Sequence, residues 1–206
     1  MTIIGITGPS GAGKSMLSDY LKERGLPVLD ADAVYHELLL PPSPCLDALR
    51  SAFGSDIFFD DGTLNRRALS DIVFHDKAKL TRLNETVLGL VLAELRQRIA
   101  ALAKAGETAV AVDAPTLIES GFHRECSAVV SVLAPAELRL ARIMERDGLS
   151  PEAAQARLQA QQKDGFYRAH SQYILINEGR QEEFFAKCDE LLSRWRISPL
   201  PPVDLM

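Results

Sequence analysis

The segment with the clearest chemistry is a glycine-rich stretch near the start of the chain, GPSGAGKS, which begins at Gly8. Gly8, Gly11 and Gly13 leave the backbone free to adopt positive φ and to approach a ligand closely. With Lys14 and Ser15 they complete G-x-x-x-x-G-K-[ST], in which backbone N–H groups cradle phosphates, the lysine reaches the β- and γ-phosphates and the hydroxyl binds Mg²⁺. The stretch predicts a nucleoside triphosphate site. The predicted contacts are Gly8, Gly11, Ala12, Gly13, Lys14, Ser15 and Met16.

The residues on either side of this stretch help to distinguish a phosphate-binding loop from a chance match to a short pattern. An apolar run, IIGIT at residues 3–7, precedes it, and apolar residues at helical spacing follow from Met16 to Leu21. A buried strand before the pattern and an amphipathic helix after it are the context that a phosphate-binding loop requires. The context therefore favours phosphate binding.

Two carboxylates follow the second apolar run, where the chain reads LDADAV. At the carboxyl edge of a sheet, beside the loop, Asp30 or Asp32 could accept the proton of an acceptor hydroxyl and orient its oxygen toward the γ-phosphorus. The alternative is that Asp32 caps a helix that begins near Ala33, a common role for aspartate. The spacing leaves both interpretations open.

Further charged residues follow the third and fourth apolar runs. Asp113, after VAV, is placed like a carboxylate that orders Mg²⁺ through water, although a turn residue before Pro115 is the alternative. Arg142 and Arg146 lie four residues apart on one predicted helix face. Arginines brought over the site by a mobile lid would stabilise charge on the transferred phosphoryl group, whereas an exposed basic face needs no such role.

The elements that must position these residues are short buried strands alternating with helices. The predicted strands are 3–7, 27–29, 108–112, 128–133 and 173–176. Their nearly continuous apolar character is typical of a parallel sheet covered on both faces, whose ligands bind at the carboxyl ends of the strands. The longest predicted helix spans 77–104, and Ser150 before Pro151 predicts a capped helix start.

The chain length favours one domain with an insertion. At 206 residues the chain is short for two independent cores. Turn-rich segments, PPSP at 41–44 and FFDDGT at 58–63, indicate that about 40–105 form a small α-rich cap between the second and third strands. His36, His75, His123 and His170 show no ligand spacing and receive no role, and the tail at 198–206 is predicted to be irregular.

Composition argues against several classes of partner. The formal net charge of −5, with both signs interspersed, provides no basic face for nucleic acid or an anionic membrane. Neither an apolar segment of membrane-spanning length nor a basic segment before the first apolar run is found in the sequence, so we expect no membrane span and no signal peptide. Three widely spaced cysteines suggest reduced thiols rather than a disulfide framework or a zinc site, which favours a cytoplasmic protein.

Several motifs together resemble the dephospho-coenzyme A kinase family over almost the whole chain. They are GITGPSGAGKS, PVLDADAV, FGSDIFFDDGTLNRRALSDIVF, LN at 83–84, DAPTLIESG, RIMERDG and INEG, in that order. The segments D-G-x-L-x-R-x-x-L-x-x-x-V-F, from Asp61 to Phe74, and P-x-L-x-E, from Pro115 to Glu119, are more specific to that family than the loop is.

The resemblance implies a P-loop kinase fold: a five-stranded parallel sheet with helices on both faces, an α-rich acceptor-binding cap and a helical lid at about 136–170. It implies transfer of phosphate from ATP, with Mg²⁺, to the ribose 3′-hydroxyl of dephospho-coenzyme A by a monomer or weak homo-oligomer. It assigns Asp32 as the catalytic base. It places Lys14, Ser15 and Arg142 at the phosphates and Mg²⁺, and Arg146 and Asn177 at the nucleotide. The acceptor would be bound by Asp32 together with Arg66, Leu117 and Glu119.

The chain departs from the family pattern in the cap. Leu88 and Gly89 stand where members usually have a His-Pro pair, which predicts a raised KM for the acceptor. Two alternatives follow: a kinase for another small hydroxyl compound, or a weakly active coenzyme A-binding homologue. A regulatory GTPase is disfavoured, because neither N-K-x-D nor D-x-x-G occurs in the sequence.

Overall fold

The computed structural model describes residues 1–73 and 76–195. Phe74, which ends one family segment, His75 and the tail at 198–206 lie outside the described residues. The strands are β1 (Thr2–Thr7), β2 (Val28–Asp30), β3 (Ala109–Asp113), β4 (Ala128–Leu133) and β5 (Tyr173–Ile176). All five predicted strands are therefore confirmed to within about one residue at each end.

The five strands form one parallel sheet in the order β2-β3-β1-β4-β5. The central strand β1 is paired on both sides, with Ile6 beside Asp113 of β3 and Thr7 beside Ser131 of β4. Because all these strands run in the same direction, the segments that follow β1, β3 and β4 emerge at one edge of the sheet. The predicted α/β fold with a five-stranded parallel sheet is confirmed.

Nine α-helices and one short 3-10 helix, Phe122–Glu125, are found within residues 1–73 and 76–195. The α-helices are α1 (Lys14–Glu23), α2 (Ala31–Leu38), α3 (Pro44–Phe53), α4 (Arg66–Val73), α5 (Lys77–Lys104), α6 (Ala136–Asp147), α7 (Pro151–Gln159), α8 (Asp164–His170) and α9 (Gln181–Arg194). The predicted helix 77–104 is confirmed as α5. The Ser150 side chain accepts a hydrogen bond from the Ala153 N–H, so the predicted cap of α7 is confirmed as well.

The chain divides into two compact units. The first unit comprises Met1–Leu29 and Gly106–Met206, and its described part contains the sheet except for the end of β2. Its main core joins apolar residues of β1, β3, β4 and β5 to those of α1 and α9, with Ile4, Leu17 and Phe184 at its centre. This packing fixes α1 against the sheet and thereby fixes the loop that leads into α1.

The second unit, Asp30–Ala105, contains α2 to α5 and has a core of its own. Leu46, Leu49 and Ile57 are buried there, and side chains of α4 and α5 pack around them. Arg98 of α5 also forms an ion pair with Glu37 of α2. The roles of 40–105 as a cap and of 136–170 as a lid stay predictions.

No helix in the described part of the chain combines the length and the apolar character that crossing a membrane would require.

Candidate active site

The glycine-rich loop connects β1 to α1, with all three of its predicted flexible glycines at positive φ. Gly8, Gly11 and Gly13 have φ of 137°, 77° and 100°, which L side chains rarely adopt. Gly13 precedes the first residue of α1, and a Cβ there would lie 2.1 Å from Nδ2 of Asn177. The sequence therefore needs glycine at this position for both backbone conformation and space.

The carbonyl groups of three consecutive loop residues are bound by side chains from other elements. The Ser10 carbonyl accepts from Arg139 Nε at 3.1 Å, the Gly11 carbonyl accepts from Arg142 Nη1 at 3.1 Å, and Asn177 Nδ2 donates to the carbonyl of Ala12 at 2.9 Å. Arg142 also donates to Asn177 Oδ1, at 3.4 Å. In a trans peptide the C=O group points in the opposite direction to the N–H group of the next residue. Because side chains hold these three carbonyls, the N–H group of the residue after each carbonyl points away from the side chain that binds it.

Helix α6 packs directly against the loop. A Cβ on Gly11 would lie 2.7 Å from the backbone oxygen of Arg139, so only glycine fits between the two backbones. Arg139 is 5% exposed, and burial lowers the pKa of its guanidinium while Asp164 opposes that effect. Arg146, one turn beyond Arg142, donates to the Ser10 hydroxyl at 3.1 Å.

Lys14 and Ser15 occupy the first turn of α1, as the pattern requires. The Lys14 ammonium donates to the carbonyl of Gly8 at 2.9 Å, so its side chain runs back along the loop. Ser15 is exposed at the same helix end. A helix N-terminus, a lysine and loop N–H groups in one place are features that anion-binding sites share.

Asp113 is the last residue of β3 and pairs with Ile6, near the carboxyl end of β1. Its side chain is 9% exposed, and its Oδ2 accepts a hydrogen bond from the Ser18 hydroxyl of α1 at 2.6 Å. The carboxylate thus belongs to the same edge of the sheet as the loop. A polar group buried in this way requires hydrogen-bond partners, and the Ser18 hydroxyl is one of them.

Asp30, rather than Asp32, caps the helix after β2. The Asp30 carboxylate accepts from the N–H groups of Asp32 and Ala33, at 2.8 Å and 3.1 Å. Because α2 begins at Ala31, Asp32 lies in its first turn and is exposed. The alternative that Asp32 is the cap is wrong, since the helix begins about two residues earlier than the sequence suggested.

The residues predicted to bind the acceptor are divided between the two units. Arg66 begins α4 in the second unit and is exposed. In the first unit, Glu119 is exposed after β3, whereas Leu117 is fully buried and lies against Gly5 of β1. A Cβ on Gly5 would lie 2.5 Å from the Leu117 side chain, so this leucine packs in the interior.

A cavity of about 620 Å³ lies at the carboxyl ends of β4 and β5. Its lining includes Pro135 before α6, Arg139 of α6 and Glu178 after β5, and it is completed by Leu158, Gln159 and residues 161–164. Arg139 thus contacts the loop and lines this cavity. The cavity is the right order of size for a small-molecule site.

Sequence comparison assigns the chain to a family of enzymes. The family model described as dephospho-CoA kinase matches residues 2–183, which is most of the chain. The chain belongs to the dephospho-CoA kinase family. A relative named dephospho-CoA kinase in Lactobacillus johnsonii is 34% identical over 189 residues, with 92% of this chain and 96% of the relative covered.

Solved structures agree with membership of the dephospho-CoA kinase family. The crystal structure of TT1252 from Thermus thermophilus has a TM-score of 0.78 at 32% identity and covers 94% of this chain and 97% of its own. Dephospho-CoA kinase from Campylobacter jejuni has a TM-score of 0.69 at 26% identity, with 94% and 96% covered. The chain is therefore a kinase with the P-loop kinase fold.

Two side chains at the loop were not predicted from the sequence. Arg139 and Gln161 both contact Ser10 of the loop. The single sequence signal for Arg139 is its position three residues before Arg142, on the helix that carries the predicted arginines. Gln161 follows α7 in a stretch without a motif, so only the folded structure places it at the loop.

Leu88 and Gly89 lie inside α5, in the second unit. A proline at position 89 would remove a helical hydrogen bond and clash with the preceding turn, which costs about 3 kcal/mol or more. With Leu88 and Gly89 at these positions, α5 continues without interruption from Lys77 to Lys104.

Replacing Gly13 by alanine is expected to lower kcat/KM for ATP by about 10²-fold, because the displaced Asn177 amide would release the Ala12 carbonyl and misplace the loop. Gly62→Ala is the matched control, since Gly62 also has positive φ, 82°, but has no atom within 4 Å of the new Cβ. Both variants should lose stability from backbone strain, and only Gly13→Ala should lose ATP turnover in a steady-state assay. Equal kinetics in the two variants would contradict this role of Gly13.

Proposed function

We propose that the chain transfers the γ-phosphoryl group of ATP to the ribose 3′-hydroxyl of dephospho-coenzyme A. The observation that carries this proposal is the loop from Gly8 to Ser15 in a member of the dephospho-CoA kinase family: its three glycines have positive φ and three of its carbonyls are held by side chains. Coenzyme A and ADP would be the products. This step completes coenzyme A synthesis.

The loop would bind the triphosphate of ATP. The loop N–H groups and the N-terminus of α1 attract the phosphate oxygens, while Lys14 moves from the Gly8 carbonyl to the β- and γ-phosphates. Arg142 and Arg146, which lie at the loop, would stabilise the charge on the transferred group. Ala12 and Met16 would flank the phosphates, and Asn177 would lie near the adenine.

Mg²⁺ would be held by Ser15 and, through water, by Asp113. Both provide hard oxygen donors at the loop edge of the sheet, and Mg²⁺ prefers such donors and retains several waters beside the phosphates. Within residues 1–73 and 76–195 no group of three or more His, Cys, Asp or Glu side chains is placed to hold a metal ion, and Ser15 and Asp113 would share the ion with phosphate oxygens. The donor set therefore fits a Mg²⁺ ion that arrives with ATP and neutralises phosphate charge.

Asp32 would act as the general base. It accepts the proton of the 3′-hydroxyl as that oxygen attacks the γ-phosphorus and ADP leaves. Its position in the first turn of α2 leaves it exposed and separate from the capping role of Asp30. We assign acceptor binding to the cap at about 40–105, including Arg66, together with Glu119, and closure over the nucleotide to the lid at about 136–170. Leu117, which is buried against Gly5, would support this region from the interior without touching the acceptor.

We also propose a cytoplasmic enzyme, monomeric or weakly homo-oligomeric, that acts on small molecules and binds no nucleic acid. The support is the net charge of −5 with interspersed signs, which provides no extended basic face.

A steady-state assay with ATP and a panel of acceptors tests this function. Dephospho-coenzyme A should be phosphorylated at the 3′-hydroxyl, as phosphorus NMR of the product would show, and shikimate and nucleoside monophosphates should be phosphorylated far more slowly. Rapid phosphorylation of another hydroxyl compound, without turnover of dephospho-coenzyme A, would instead support the second candidate, a kinase for a different acceptor. The observation that favours this second candidate is the replacement of the usual His-Pro pair by Leu88 and Gly89.

A further inference from the structure

The tip of the loop, Ser10, is bound at three polar atoms by side chains from one region of the chain. Its N–H donates to Oε1 of Gln161 at 2.9 Å, and its carbonyl accepts from Arg139 Nε at 3.1 Å. Its hydroxyl accepts from Arg146 at 3.1 Å. Both backbone groups and the side chain of Ser10 are therefore fixed from outside the loop.

Gln161 joins this set of contacts into a closed ring. Its Oε1 also accepts from Nη2 of Arg139, at 2.8 Å, so Gln161 binds both Ser10 and the arginine that holds the Ser10 carbonyl. Gln161 is half-buried and Arg139 is 5% exposed. Hydrogen bonds shielded from water in this way constrain geometry more strongly than exposed ones do.

The ring constrains the part of the loop where its anion-binding turn begins. With the Ser10 N–H and C=O both fixed, the peptide planes on either side of Ser10 lose most of their rotational freedom. Arg142 and Asn177 then hold the next two carbonyls. A loop that is ordered before its ligand arrives loses less conformational entropy on binding.

We propose that Gln161 is a positioning residue for the triphosphate. It fixes the loop tip at Ser10 in the nucleotide-binding conformation and ties the connection between α7 and α8 to the loop. The proposal rests on the proposed function, because the anion it serves is the triphosphate of ATP. It adds to that function a residue that touches the loop and acts through it.

The test replaces Gln161 by methionine, which has a similar length but cannot accept these hydrogen bonds. Gln181→Met is the matched control, since Gln181 is exposed in the first turn of α9 and lies outside both the cavity lining and the lid. The dissociation constant for ATP, from calorimetry without acceptor, should rise about ten-fold in Gln161→Met, as expected for the loss of a hydrogen bond to a charged group together with a backbone one. The KM for dephospho-coenzyme A should match that of the control, and the thermal midpoint should fall by only about 2–4 °C, because the ring's hydrogen bonds also contribute modestly to folding.

A double-mutant cycle with Arg139→Met measures whether Gln161 acts through the ring. Residues in one hydrogen-bond network show non-additive effects, so the combined loss of ATP affinity should be smaller than the product of the single losses. Additive losses would overturn the proposal. So would ATP affinity unchanged in Gln161→Met, or an equal rise in both KM values accompanied by a larger fall in the thermal midpoint.

The binding measurement separates this proposal from the proposed function. A parent protein that binds ATP but does not phosphorylate dephospho-coenzyme A would overturn the acceptor assignment, and the Gln161 variant would still report on the loop. A parent protein that does not bind ATP would overturn both.

Discussion

Replacing Lys14 by alanine is expected to lower phosphoryl transfer by at least about 10²-fold while the fold stays intact. The change removes a charge directed at the β- and γ-phosphates, where negative charge must be stabilised in the transition state. Lys14 is at the start of α1, outside the sheet core, and its ammonium is bonded to the Gly8 carbonyl. The circular dichroism spectrum should match the parent, and the loss should appear in kcat measured at saturating ATP.

Lys22→Ala provides the control for this prediction. Lys22 lies in the last turn of the same helix, half exposed and 3.4 Å from Asp19, so its removal deletes the same charge away from the loop. Its turnover should stay close to that of the parent, because exposed ion pairs contribute little. If Lys14→Ala retained more than about a tenth of the parent rate, the assignment of the loop to the phosphates would fail.

Replacing Asp32 by asparagine is expected to reduce turnover by about 10²-fold or more, with little change in stability. Asparagine has nearly the same shape but cannot take a proton from the acceptor hydroxyl. Since Asp30 provides the cap of α2, the substitution leaves the helix start unaltered. Single-turnover rates and the midpoint of chemical unfolding would measure the two effects separately.

Asp30→Asn is the control that distinguishes the two neighbouring carboxylates. Asparagine caps helices about as well as aspartate, so this variant should keep both the N-cap of α2 and the rate of phosphoryl transfer. A large loss of rate in Asp30→Asn combined with normal turnover in Asp32→Asn would transfer the role of base to Asp30. Normal turnover in both variants would remove general-base catalysis by either residue.

Local patterns in the sequence were sufficient to predict the strands, the long helix and the loop. The glycines at 8, 11 and 13 have positive φ, and α5 spans Lys77–Lys104 as its apolar spacing predicts. These features depend on hydrogen bonds and side-chain periodicity within a few residues, which the sequence carries directly. Local patterns did not locate the start of α2 accurately enough to identify its N-cap residue. The helix begins about two residues earlier than the sequence suggested, so Asp30, and not Asp32, caps it.

Which side chains hold the loop was decided by the tertiary structure alone. Ser10 is 151 residues from Gln161 and 129 residues from Arg139, and only the packing of α6 and of the α7–α8 connection beside the sheet brings them together. The sequence marked Arg142 and Asn177 as site residues, but their binding to loop carbonyls follows from the parallel order of β1, β4 and β5. Contacts at such separations depend on how whole elements pack, whereas the loop itself is determined by the conformations that its own residues can adopt.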